Sequence, residues 1–130
     1  MHAPEHAKIY ETQLFDCWLV EPGIVYLLSK KGERSIENYR DAFKVYEEIS
    51  QSGTHKFCVL GNITDTQPFS KEVREFVEQE TSKHLKAMAL ISESVVGRAV
   101  ANIFEYLHET PYPVALFGTE KDAIAWLRKF

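Results

Sequence analysis

Hydrophobic positions change period several times along the chain, and the clearest changes fall in its last third. Residues 85–93 are a short apolar run, and residues 94–108 then repeat apolar positions at three- and four-residue spacing. Residues 112–118 return to a short apolar run and residues 119–130 to helical spacing. In order these read as strand, helix, strand and helix. Two short strands joined by an amphipathic helix lie side by side only in parallel, through a right-handed crossover, so the last third alone implies a parallel α/β sheet.

The earlier part is compatible with that sheet. Residues 8–20 carry β-branched and aromatic side chains with partial alternation and read as one strand; residues 24–29 read as a second. Pro22 and Gly23 between them suit a tight turn, which predicts an antiparallel hairpin. Ser35 is placed to cap a helix in which Ile36, Tyr39, Phe43, Tyr46 and Ile49 recur on one face, while Glu37, Arg40, Asp41, Lys44, Glu47 and Glu48 form a solvated face. Gly53 supplies a left-handed stop, and residues 56–63 read as a third strand. Ser70 caps a second helix with Val73, Phe76 and Val77 on its apolar face, and its later, more polar half is either exposed or covered by a partner. The third helix, capped by Ser94, spreads Val95, Val96, Ala99, Val100, Ile103, Phe104 and Leu107 over more than half its circumference, which predicts burial on two sides. Thr119 opens the last helix, anchored by Ile124, Trp126 and Leu127.

The expected fold is therefore an open mixed α/β sheet of about five strands flanked by four helices. One domain is expected over residues 1–130, with residues 1–7 a loose arm. Strand order stays open, because the hairpin can sit at an edge or flank the parallel unit.

Composition narrows the partners. A chain of 130 residues, 45% of them hydrophobic, is the size of one ordinary domain and builds one core. The net charge of −4 comes with scattered Lys and Arg, so no basic stripe is available for a phosphate backbone and nucleic acid is not expected. No apolar run approaches the ~18 residues of a membrane span, and the start lacks a signal-peptide pattern, so a cytoplasmic protein is expected. Cys17 and Cys58 lie inside apolar runs and read as buried, unreactive thiols.

Candidate chemistry is sparse. His2 to His6 match the H-x-x-E-H form of a zinc peptidase, but such a site needs both imidazoles on one face of a helix, and here Pro4 separates them at the chain's start; no metal is assigned. His55, His84 and His108 are isolated and read as surface or capping residues. There is no nucleophile elbow, P-loop or dinucleotide fingerprint among the dispersed glycines, so no cofactor and no catalytic residue are assigned. What survives is positional. Ligands of open α/β sheets bind beyond the carboxyl ends of the parallel strands. Thr64, Asp65 and Thr66, then Ser92, Glu93 and Ser94, then Gly118 and Thr119 fall there, a rim rich in hydroxyls and suited to a cation, a polar ligand group or a partner's basic residue. The bland alternative is that each of them caps a helix or turn. An enzyme of unknown reaction class would need Asp65, Glu93 or a histidine to converge in a concave pocket.

From Val59 to Phe130 the pattern, above all residues 87–104, 111–117 and 122–130, resembles small uncharacterised bacterial proteins described as STAS/SEC14-like or SpoIIAA-like. That resemblance implies two kinds of role. SEC14-like relatives imply a noncatalytic domain holding a lipid or other apolar small molecule between sheet and helices, with Phe76, Val77, Phe104, Tyr106 and Trp126 as candidate lining. STAS relatives imply an anti-sigma-factor-antagonist-like module whose Ser or Thr is phosphorylated to switch a protein partner. The loop over residues 61–70 offers Thr64, Thr66 and Ser70, with Thr66 and Ser70 the candidates for phosphorylation, but lacks that group's Ser-Gly pair. The half-polar second helix also offers a homodimer contact.

Overall fold

The computed structural model describes residues 3–94, 99 and 110–130. Strands β1 (Tyr10–Glu11), β2 (Phe15–Glu21), β3 (Ile24–Ser29), β4 (Phe57–Asn62), β5 (Leu85–Ile91) and β6 (Val114–Leu116) form one sheet in chain order. The pairs β1–β2 and β2–β3 are antiparallel; β3–β4, β4–β5 and β5–β6 are parallel. The parallel unit implied by the last third is thus extended on one side by a hairpin at the edge.

One difference from the expected five strands lies at Thr12. The single strand over residues 8–20 is two strands, because the Thr12 side chain closes a turn between them. Its hydroxyl accepts from the Leu14 and Phe15 amides at 3.1 and 3.0 Å and donates to the Phe15 carbonyl at 2.8 Å. The Pro22-Gly23 turn is as expected, with Gly23 at φ +83°, a conformation that L side chains rarely adopt.

Helices α1 (Ile36–Ala42) and α2 (Lys44–Ile49) replace the continuous first helix, separated at Phe43. At the break Phe43 has ψ −8°, away from the α-helical value of about −42°, while its amide still donates to the Tyr39 carbonyl at 2.8 Å. The break leaves the aromatic face intact: Tyr39, Phe43 and Tyr46 are all buried, and Phe43 stacks on Tyr46 with centroids 5.2 Å apart. Helices α3 (Lys71–Ser82) and α4 (Glu120–Leu127) start where their caps place them. The Ser70 and Thr119 hydroxyls each accept from the amide three residues on, both at 3.2 Å. The expected third helix, with Phe104 and Tyr106, lies outside the described residues, except that Ala99 is helical.

Alternation along β3, β4 and β5 divides the core between the two sheet faces. On one, Cys17, Val25, Phe57, Val59 and Leu85 pack with Tyr39, Phe43, Tyr46 and Val73 from α1, α2 and α3. On the other, Tyr26, Cys58, Leu60, Ala87 and Ala89 pack with Ala123 and Leu127 of α4. Ala87, Ala89 and Ala123 are fully buried, and their small side chains let α4 sit close to the sheet. Residues 4–7 form a turn closed by the Ala7 amide on the Pro4 carbonyl at 3.0 Å, and Ala3 packs against this second core. Among the described residues, no helix is long and apolar enough to cross a membrane.

Candidate functional site

The rim beyond the parallel strands comes together in space, and its polar groups bond mostly to one another. Asn62, ending β4, accepts from the Thr64 amide and hydroxyl at 3.1 and 2.7 Å and donates to the Tyr26 hydroxyl at 3.0 Å. The Tyr26 hydroxyl donates to Glu120 at 3.3 Å. The Thr64 hydroxyl in turn accepts from the Glu93 amide at 3.1 Å, and the Ser94 hydroxyl donates to the Thr64 carbonyl at 2.7 Å. Ser92 accepts from the Ser94 amide at 3.1 Å. These bonds tie the loop after β4 to the loop after β5. Asp65 is exposed beside them, and Thr119 and Ser70 are exposed caps. Burial raises the Tyr26 phenol above its usual range, Asn62 pulls against that rise, and Glu120 reinforces it.

Thr66 differs from its neighbours. It is buried, 7% exposed, and lines a half-open cavity of about 90 Å³ between the sheet and α1, α2 and α3. The cavity's floor is Leu27, Val59, Gly61, Met88 and Leu90, and its roof includes Tyr39, Phe43 and Val77. Strand register explains why a space opens here. Gly61 on β4 lies beside Leu27 on β3 and Leu90 on β5, so the central strand contributes no side chain between two leucines. A Cβ at Gly61 would meet the Leu90 Cδ2 at 3.1 Å. The lining is mostly apolar, with Ser29, Arg34, Thr66 and Thr81 as its polar members.

Arg34 follows β3 and reaches this lining from the loop before α1. Its Nη2 donates to the Ser29 hydroxyl at 2.9 Å and to the Lys30 carbonyl, and its Nη1 to the Leu14 carbonyl at 3.3 Å. Its Nε is buried without a hydrogen-bond partner. Burial raises the Tyr39 phenol, and the adjacent Arg34 guanidinium opposes that rise.

The remaining candidates lie elsewhere. Phe76 lines a wider groove of about 710 Å³ between α1, α2 and α3, with Arg40, Lys44, Glu47, Glu80 and Lys83 giving it mixed charge. Trp126 is on the opposite sheet face, packed on Phe117 and Phe130 with centroids 5.4 and 4.8 Å away. Of the bulky lining residues suggested by the resemblance, Val77 is the one that the described structure brings to the cavity. His84 is buried rather than on the surface. The Ser50 hydroxyl accepts from the Gly53 amide at 3.0 Å and is hydrogen-bonded to His84 Nδ1 at 2.7 Å. Ser50 is fully buried, so this pair ties the end of α2 to the end of α3 and presents no nucleophile to solvent. Among the described residues, no group of three His, Cys, Asp or Glu side chains is placed to hold a metal.

A mixed sheet in chain order, helix-covered on one face around a small cavity and closed by α4 on the other, defines a SpoIIAA-like α/β domain. The chain is similar to a solved uncharacterised protein of the DUF3478 family with a SpoIIAA-like fold from Shewanella loihica PV-4, with a TM-score of 0.55 and 17% identity over 93% of this chain and 91% of that one. Residues 17–130 match the family model of a domain of unknown function, DUF7793, and the chain belongs to that family. No curated protein matches it.

Proposed function

We propose that this protein is a noncatalytic small-molecule-binding domain whose ligand sits between the sheet and helices α1 to α3. The observation that carries this reading is the apolar cavity over Gly61, built by strand register where a better-filled core would place a side chain. Its position agrees with the general rule for open α/β sheets, since Ile63 and Thr66 at its edge lie just beyond the carboxyl end of β4. At about 90 Å³ the space suits a small molecule rather than a whole lipid. Drug-sized ligands need roughly 300 Å³ or more, whereas an apolar cavity of about 150 Å³ admits benzene. A Ser/Thr switch has less support, because Thr66 is buried and the Ser70 hydroxyl is already engaged as a helix cap.

The reading is tested by thermal unfolding with a panel of short aliphatic acids, amides and alcohols, on the wild type and on Val77→Phe, which fills the space from α3. Ligands that bind only the folded state raise its melting temperature. At least one class raises that of the wild type and leaves Val77→Phe unmoved; an equal response of the two proteins across the panel contradicts the proposal.

A further inference from the structure

We infer that the cavity recognises a short aliphatic carboxylate, with its chain against the apolar floor and its carboxylate on Arg34. This rests on the binding reading above and adds the ligand's charge. Arg34 is the one cationic side chain in the cavity's described lining, among apolar neighbours and hydroxyls. Its hydrogen bonds go to the Leu14 and Lys30 carbonyls and the Ser29 hydroxyl, the Tyr39 phenol lies beside it, all of these groups are neutral, and none of the ion pairs among the described residues involves it. The nearby cation Lys30, by contrast, is paired with Asp16 at 2.9 Å.

A guanidinium presents five N–H donors in a fixed fork that matches a carboxylate, and a buried donor left unmatched is costly. Here Nη2 donates to the Ser29 hydroxyl and the Lys30 carbonyl, Nη1 spends one hydrogen on the Leu14 carbonyl, and Nε is fully buried without a partner, so the second Nη1 hydrogen is the donor that a carboxylate takes. The carbonyls of Leu14 and Lys30 and the Ser29 hydroxyl fix the fork in place, so little side-chain freedom remains to be lost on binding. Ser29, bonded to Arg34, and Thr66, elsewhere on the lining, are buried at 5% and 7% exposure and add two hydroxyls to it. A positive, donor-rich group joined to an apolar space of about 90 Å³ is the complement of a small anion with a short hydrocarbon tail. A bare inorganic anion leaves the apolar floor unused, and a neutral isostere leaves the guanidinium uncompensated.

The test is titration of the whole chain with propionate, propionamide and inorganic phosphate at constant ionic strength, followed by methyl NMR. Propionate is expected to bind at least about tenfold more tightly than propionamide, as charge-assisted hydrogen bonds are roughly twice as strong as neutral ones. It should shift the methyls of Leu27, Val59 and Leu90, which phosphate leaves in place. Arg34→Met should bring the two organic ligands to equal affinity, and Arg34→Lys should keep part of the preference. Equal affinity of propionate and propionamide for the wild type overturns the charge recognition and leaves the binding reading standing. Absence of methyl shifts with either organic ligand overturns both. Phosphate acting on the same methyls as strongly as propionate overturns the role of the apolar tail. The wild-type comparison decides the matter even if Arg34→Met does not fold.

Discussion

At the scale of residues, burial sets the chemistry of the groups that look reactive in the sequence. Cys17 and Cys58 belong to the cores on opposite sheet faces, both as free thiols. Burial, with a smaller contribution from the Asp16 charge, pushes the Cys17 thiol up to about 12, so it stays protonated and inert near neutral pH. His84 shows the same force with the opposite sign. Burial lowers its pKa below the ordinary 6.5, against the opposing charges of Glu47 and Glu80. Burial therefore favours the neutral imidazole, hydrogen-bonded through Nδ1 to the buried Ser50 hydroxyl. A folded pKa below the unfolded one contributes stability that is present above pH 6.5 and is lost as pH falls through the folded value. Denaturant titrations between pH 7.5 and about 5 should thus show the wild type losing stability more steeply than His84→Gln. Parallel pH profiles for the two proteins would remove His84 from the account.

At the scale of elements, local side-chain hydrogen bonds decide where helices and turns begin. Ser35, Ser70 and Thr119 each cap a helix through the amide three residues on. Ser70→Ala should cost about 1 kcal/mol and Ser70→Asp close to nothing, because aspartate caps equally well and its charge suits a helix N-terminus. Thermal unfolding of the two variants checks this, and equal losses would point to a role for the hydroxyl other than capping. These caps were legible in the sequence because a cap is a local signal: a hydroxyl followed by an apolar period. The turn at Thr12 was not, since residues 8–20 keep their strand-like composition through it and only the pairing of Tyr10 with Cys17 reveals the fold-back. Nor was the break at Phe43, where both helices share one aromatic face and the apolar period runs on unbroken.

At the scale of the molecule, the cavity depends on which strands are neighbours. The rim hydroxyls could be placed from sequence, because they follow strands that are visible as apolar runs. Gly61 as a gap between Leu27 and Leu90 could not, because it exists only once β3, β4 and β5 are aligned in register. Arg34 was equally hidden, in a polar stretch between a strand and a helix with nothing local to connect it to Val59 or Leu90. The same geometry predicts the effect of Gly61→Ala. The added methyl displaces the mobile end of Leu90 by a few tenths of an ångström, while replacing a strand glycine recovers roughly 0.5–1 kcal/mol of backbone entropy. Stability should stay within about 1 kcal/mol of wild type, with the cavity reduced.

The central claim, that an accessible apolar space lies between the sheet and α1 to α3, is tested most directly by methyl NMR under xenon pressure, as apolar protein cavities bind xenon. The wild type should show saturable shifts at the methyls of Leu27, Val59, Val77 and Leu90, weakened in Gly61→Ala. Shifts that do not saturate at those methyls, or that appear instead at Leu60 and Ile91 on the opposite face, would contradict it.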